Sequence, residues 1–210
     1  MRYGNPELAG DAVMRAWTKG GIVRSFAFGL ASLLAWIAAP HPTSGGPITD
    51  GTYVILLRHG DAPGRHEPAG FNLQDCATQR NLSDQGRNEA RDVGDQLRRQ
   101  GVVVTKIVSS RWCRTRETAK LLDLGAVADA PAFDNLEFNK MQASDLLNGE
   151  RQLIASWRGP GVLLIVTHSS NIKALTGFDV EQGAMIVAKP RQTARSPLQF
   201  SKVSLASVSF

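Results

Sequence analysis

Apolar runs alternate with amphipathic ones along most of the chain. Residues 52–59 (TYVILLRH) are short, apolar and rich in branched side chains, which predicts a buried strand. In 83–101 the period changes: Ala90, Val93 and Leu97 share one helical face. Ser83 is a good N-cap, Asp84 sits in the first turn and Gly101 stops the run, so a helix is predicted. TKIVSS (105–110) predicts a second strand and RWCRTRETAKLLD (111–123) a second helix. Residues 144–159 predict a third helix, with Leu146, Leu153, Ile154 and Trp157 roughly on one side. GVLLIVTH (161–168) is the most apolar strand, and HSSNIKALTG after it opens a short helix. GAMIVAKP (183–190) is another strand, and the tail QFSKVSLASV an edge strand. Short strands separated by helices predict an α/β fold: three α/β/α layers around a mostly parallel sheet.

The N-terminus has a different pattern. Arg15, Lys19 and Arg24 precede an apolar run, 25–39, that ends at Pro40. Phe26, Leu30, Leu33, Leu34 and Ile37 in it have no opposing polar face, unlike an amphipathic core helix. The run is shorter than the roughly 20 residues of a comfortable membrane span. Residues 1–39 therefore read as a secretory signal peptide, with an uncleaved anchor over 25–39 as the alternative and Met14 as an alternative start. Residues 40–51, rich in Gly, Pro and Ser, read as a linker, and 52–210 as the folded domain. The expected location is periplasmic or secreted, or membrane-anchored if the segment is retained.

Composition changes this picture little. The 210 residues, 42% hydrophobic and 20% charged, suit one ordinary domain, and two cysteines cannot make a disulfide-dense scaffold. The net charge of +5 raises the question of nucleic acid, but residues 1–39 carry four basic and two acidic residues, so the remainder is +3. The remaining arginines form no basic stripe, which argues against a nucleic-acid partner. Arg191, Arg195 and Lys202 make a solvated basic tail.

Candidate chemistry lies at the strand ends. The first strand ends in Arg58-His59-Gly60, the second leads through Ser109-Ser110 to Arg111 and Arg114, and the most apolar one ends in Thr167-His168. Ligands of such sheets bind at the carboxyl ends of the strands. Two histidines, several arginines and two helix N-termini there describe an oxyanion or phosphate pocket. Neutral imidazole is a good nucleophile toward phosphorus, and flanking cations stabilise the equatorial oxygens in the transition state. Gly60 brings a carbonyl near the His59 ring; a bond from one ring N–H to it leaves the other nitrogen free to attack. His41 and His66 read as solvated loop residues, and Arg111 as a rim or structural arginine. Cysteine-phosphatase chemistry needs an arginine six residues after the nucleophile; Leu82 and Ala119 stand there instead, so Cys76 and Cys113 are read as a disulfide or as two free thiols. No phosphate-binding P-loop, dinucleotide fingerprint or zinc spacing occurs, so no metal or organic cofactor is expected.

LLRHG, RNLSDQG, SSRWCRTRETA and VTHSSNI, in this order and spacing across 52–177, resemble the signature of the histidine phosphatase (phosphoglycerate mutase-like) superfamily. The resemblance implies that fold, with His59 as the phosphorylated nucleophile and Arg58, Arg114 and His168 completing the phosphate pocket. Arg80 and Gly60 are carried over as substrate-binding. The DCATQRNLS and SSRWCR blocks, with the export signal, resemble the small secreted phosphatases, a group that includes lipopolysaccharide core heptose(II)-phosphate phosphatase. A small phosphorylated substrate is implied, with a lipopolysaccharide sugar phosphate as one candidate. The family's proton-donor block fits DNLEFNKMQ poorly; Glu137 is the candidate acid and Asp61 the runner-up. The long insertions with which mutases enclose a sugar phosphate are absent, favouring hydrolysis. A phosphohistidine-protein phosphatase, a mutase and a non-catalytic phosphate-binding module stay open as alternatives. Residues 61–82, with Arg65, His66, Phe71 and Asn72, are expected to form the substrate rim.

Overall fold

The computed structural model describes residues 52–189 and 199–203. The expected signal segment (1–39), the linker (40–51), His41, Arg191 and Arg195 lie outside the described residues.

The strands are β1 (Tyr53–Arg58), β2 (Val104–Ser109), β3 (Val127–Asp129), β4 (Val162–Thr167), β5 (Met185–Lys189) and β6 (Gln199–Val203). The helices are α1 (Asp84–Arg99), α2 (Cys113–Leu121), α3 (Ala143–Ser156) and α4 (Ser169–Thr176). One six-stranded sheet runs β3-β2-β4-β1-β5-β6. The β3/β2, β2/β4 and β4/β1 pairs are parallel, whereas β5 is antiparallel to both its neighbours. The predicted mostly parallel α/β sheet is thus present, and the C-terminal tail supplies its edge at β6.

Apolar runs become strands because both faces of the sheet are covered. All six residues of β4 are buried. On one face Ile55, Leu57, Leu164 and Val166 meet Val93 and Leu97 of α1 and Ala119 of α2. On the other, Val54, Leu56, Leu163 and Ile165 meet Ile154 of α3, Ile172 of α4 and Phe133. Alternate residues of one strand therefore enter opposite cores. Ser83 caps α1 as expected, its hydroxyl accepting from Gly86 N at 3.0 Å. Gly177, at φ 78°, ends α4 in the left-handed conformation. Strand β3 was not anticipated: three residues at an edge, two of them exposed, carry too little apolar pattern to announce it.

Because β4 lies between β1 and β2, the ends of all three sit side by side. His59 N donates to Thr167 O at 3.1 Å, and Ser110 N to Val166 O at 3.0 Å, which continues the ladder by one residue past each strand. The sheet thereby fixes the two histidines and the start of the α2 turn relative to one another. Among the described residues no helix is long and apolar enough to cross a membrane.

Candidate active site

His59 and His168 leave the ends of neighbouring strands, both 2% exposed, with ring centroids 5.5 Å apart. Arg114, in the first turn of α2 and 1% exposed, lies against both rings. Its Nε donates to His59 Nε2 at 3.1 Å, and its Nη2 contacts His168 Nδ1 at 3.3 Å. A guanidinium only donates, so these two ring nitrogens are the acceptors. The remaining nitrogens must then carry the protons. His59 Nδ1 donates to Gly60 O at 2.8 Å. His168 Nε2 donates to Ser110 Oγ at 2.9 Å, and Ser110 Oγ donates to Asp134 Oδ1 at 3.3 Å. One arginine thus sets the tautomer of both histidines, and the nitrogen of His59 that faces the pocket is the unprotonated one.

Burial pushes His59 well below the ordinary histidine range, and the Arg114 charge pushes it further, against the bond to Gly60. His168 is lowered well below that range for the same two reasons, with His59 as an added cause. Burial also lowers Arg114, to about 10, with Glu67 opposing, so Arg114 stays cationic at neutral pH.

These groups open into a cavity of about 670 Å³ lined also by Arg58, Arg80, Glu137, Phe138, Ser170 and Gln182. Arg58 is anchored by Nη1 donating to Val180 O at 2.7 Å, and Arg80 by Nη1 donating to Gly64 O at 2.6 Å. Both keep a buried Nε–H with no acceptor among the described residues. Buried donors of this kind normally have partners, and the arginine side chains that carry them suit an oxyanion. Three arginines can hold a tetrahedral anion while one neutral imidazole attacks it. Among the described residues no group of three or more potential metal ligands occurs.

The structure brings Arg58, His59, Arg80, Arg114, His168 and Glu137 to this one cavity. Gly60 is beside it without lining it. A Cβ there would lie 2.5 Å from Gly86 O, so glycine lets the chain pass against α1 and aim its carbonyl at His59. Asp61 does not line the cavity: its Oδ2 accepts from Ser83 Oγ at 2.5 Å, which ties it to the start of α1. Glu137 is exposed at the mouth. Arg111 is structural, its Nε donating to Asp134 Oδ2 at 2.8 Å.

Of the expected rim, Arg65 and His66 line the cavity, both as exposed loop residues. Asn72 instead builds the loop, its Oδ1 accepting from Gln74 N at 2.9 Å, and Phe71 stacks on Trp112 at 5.4 Å. Cys76 and Cys113 form a disulfide that fastens this loop to the residue before Arg114. Gln79, buried in the loop, accepts from Cys113 N at 2.9 Å. Sequence reasoning missed Glu67, whose carboxylate accepts from Arg114 Nη1 at 2.7 Å. Its Gly- and Pro-rich surroundings carry no periodicity, and only its place among rim residues pointed to it.

The model of the histidine phosphatase superfamily (branch 1) matches residues 54–146, a stretch that holds Arg58, His59, Arg80, Arg114 and Glu137 but stops short of His168. No curated protein matches the chain. The solved product of the open reading frame Rv3214 from Mycobacterium tuberculosis is 17% identical, with a TM-score of 0.54 over 71% of this chain and 95% of that one. The protein histidine phosphatase SixA, solved with tungstate, is 17% identical, with a TM-score of 0.50 over 75% and 99% of the two chains. A mycobacterial glucosyl-3-phosphoglycerate phosphatase, solved with VO3, is 14% identical, with a TM-score of 0.52 over 71% and 97%. At these identities the likeness is one of fold.

Proposed function

We propose, from the premise that this chain belongs with the histidine phosphatase superfamily, that it hydrolyses phosphomonoesters through a phosphohistidine formed at His59. The observation that carries the reading is the bridge of Arg114 between two buried, neutral histidines. In the first half-reaction the Arg114 Nε–H passes from His59 Nε2 to a phosphoryl oxygen, the freed Nε2 attacks phosphorus, and the ester P–O bond breaks. The leaving oxygen takes a proton from Glu137, the carboxyl at the cavity mouth. In the second, water attacks the phosphohistidine, Glu137 takes a proton from it, and phosphate leaves with His59 restored. Arg58, Arg80 and Arg114 hold the equatorial oxygens throughout, and His168, whose N–H is given to Ser110, accepts from Arg114 beside them.

The cavity exceeds what a phosphoryl group fills, and Asn135, Ser170 and Gln182 offer polar partners for a hydroxylated leaving group. We read the substrate as a phospho-sugar, with an envelope lipid-linked sugar phosphate as the favoured case. The Cys76–Cys113 disulfide supports an exported protein, because such bonds persist in oxidising compartments. The test is hydrolysis of a generic aryl phosphate and of a sugar-phosphate panel, by the parent and by His59→Ala. The parent should turn over and the variant should fall by at least about a thousandfold, as for loss of a nucleophile. Near-parental activity in the variant would remove His59 as the nucleophile.

A further inference from the structure

We propose that Glu67 is a positioning residue that holds the Arg114 guanidinium by one corner so that its opposite edge faces both histidines. The inference rests on the phosphatase reading of the same cavity. Glu67 and Arg114 form a buried pair, with side chains 8% and 1% exposed. Glu67 Oε1 accepts from Arg114 Nη1 at 2.7 Å, and Glu67 Oε2 accepts from the backbone N of Arg80 at 3.0 Å. Arg114 Nη1 also donates to Arg80 O at 3.3 Å. The Nη1 corner is therefore clamped between the Glu67 carboxylate and the Arg80 carbonyl, and the Arg80 N–H holds that carboxylate in turn.

The other edge does different work. Nε and Nη2 present parallel N–H groups, the side-on fork suited to two oxygens of one phosphoryl group. That edge meets His59 and His168. A guanidinium is planar, so fixing Nη1 fixes the direction of the Nε/Nη2 edge. Without Glu67 the group could rotate about its last torsions and turn the fork away from the attacking nitrogen. Both Glu67 oxygens are engaged as acceptors, an arrangement for holding a cation and not for handing a proton to a leaving group. This leaves Glu137 as the lining carboxyl available for proton transfer.

Glu67 also places a negative charge near the anion site, and this makes its role separable from general damage. Replacing it by Gln removes repulsion toward phosphate while loosening the fork. Glu67→Gln should lower kcat by about ten- to hundredfold, the loss expected for a charge-assisted hydrogen bond. Inhibition by inorganic phosphate should weaken by much less than kcat falls, because the lost repulsion offsets part of the loosened fork. Glu67→Asp, which keeps the charge but shortens the reach, should lose kcat as well. The ring-nitrogen resonances of His59 and His168 should shift in both variants, since those nitrogens accept from Arg114. This readout is independent of turnover: a parent that hydrolyses nothing refutes the phosphatase reading, while the resonances still test the clamp. Retention of kcat within about twofold, unshifted histidine resonances, or a fall in kcat matched by weaker phosphate binding would each overturn the proposal.

Discussion

At the residue scale the site works by withholding protons. A nucleophilic imidazole must be neutral at the attacking nitrogen, and its usual pKa of about 6.5 would leave much of it protonated in mild acid. Burial and the Arg114 charge remove that problem by lowering His59 well below 6.5. The sign for catalysis follows. Protonation inactivates the nucleophile, so kcat/KM should lose activity only as pH falls through the lowered value. From pH 8 to pH 6 we expect no acid limb assignable to His59, once the substrate's own ionisation is divided out. A protonation step at pH 6.5 or above, lost in a His59 variant, would show that burial does not protect the ring. The sequence reveals this chemistry only in part. Arg58, His59, Arg114 and His168 are legible because each sits where a readable strand or helix begins or ends. Asp61 adjoins the same motif in sequence, yet its carboxylate is spent on Ser83. Glu67 is invisible because only the folded loop brings it to Arg114.

At the element scale the rim segment between β1 and α1 has little regular structure, so its position depends on ties to its surroundings. Gln79 and the Cys76–Cys113 disulfide fasten it to the start of α2, one residue before Arg114. The bond joins positions 37 residues apart, and cross-linking a loop of that length is worth about 3–4 kcal/mol in the chain-entropy account. Reduction, or Cys76→Ser with Cys113→Ser, should lower the unfolding free energy by about this amount in denaturant titrations, with a raised KM as the rim loosens. A change under about 1 kcal/mol would mean that packing alone holds the rim. Pattern made β1, β4 and α1 readable, since six apolar residues or a capped amphipathic face leave few alternatives. It did not decide between a disulfide and free thiols, because a pairing needs the two Cα atoms close together, here 5.7 Å. That distance is made by the folding of the 61–82 loop over α2 and has no local signal.

At the scale of the whole molecule, a sheet order that inserts β4 between β1 and β2 gathers two histidines and three arginines from distant parts of the chain. The order itself is not written in the strands; what is written is that each one ends in a polar, chemically useful residue. The positive charge belongs to the same picture, since several of the cations outside 1–39 line one cavity and do not spread over a face. The proposed chemistry turns on a transient covalent bond between phosphorus and one nitrogen. The most direct measurement is rapid acid-free quenching of the protein with a labelled phosphomonoester, followed by peptide mapping. The account predicts label on the peptide containing His59, labile to acid and stable to base, and none in His59→Ala. Label on another residue, or an acid-stable adduct, would contradict it.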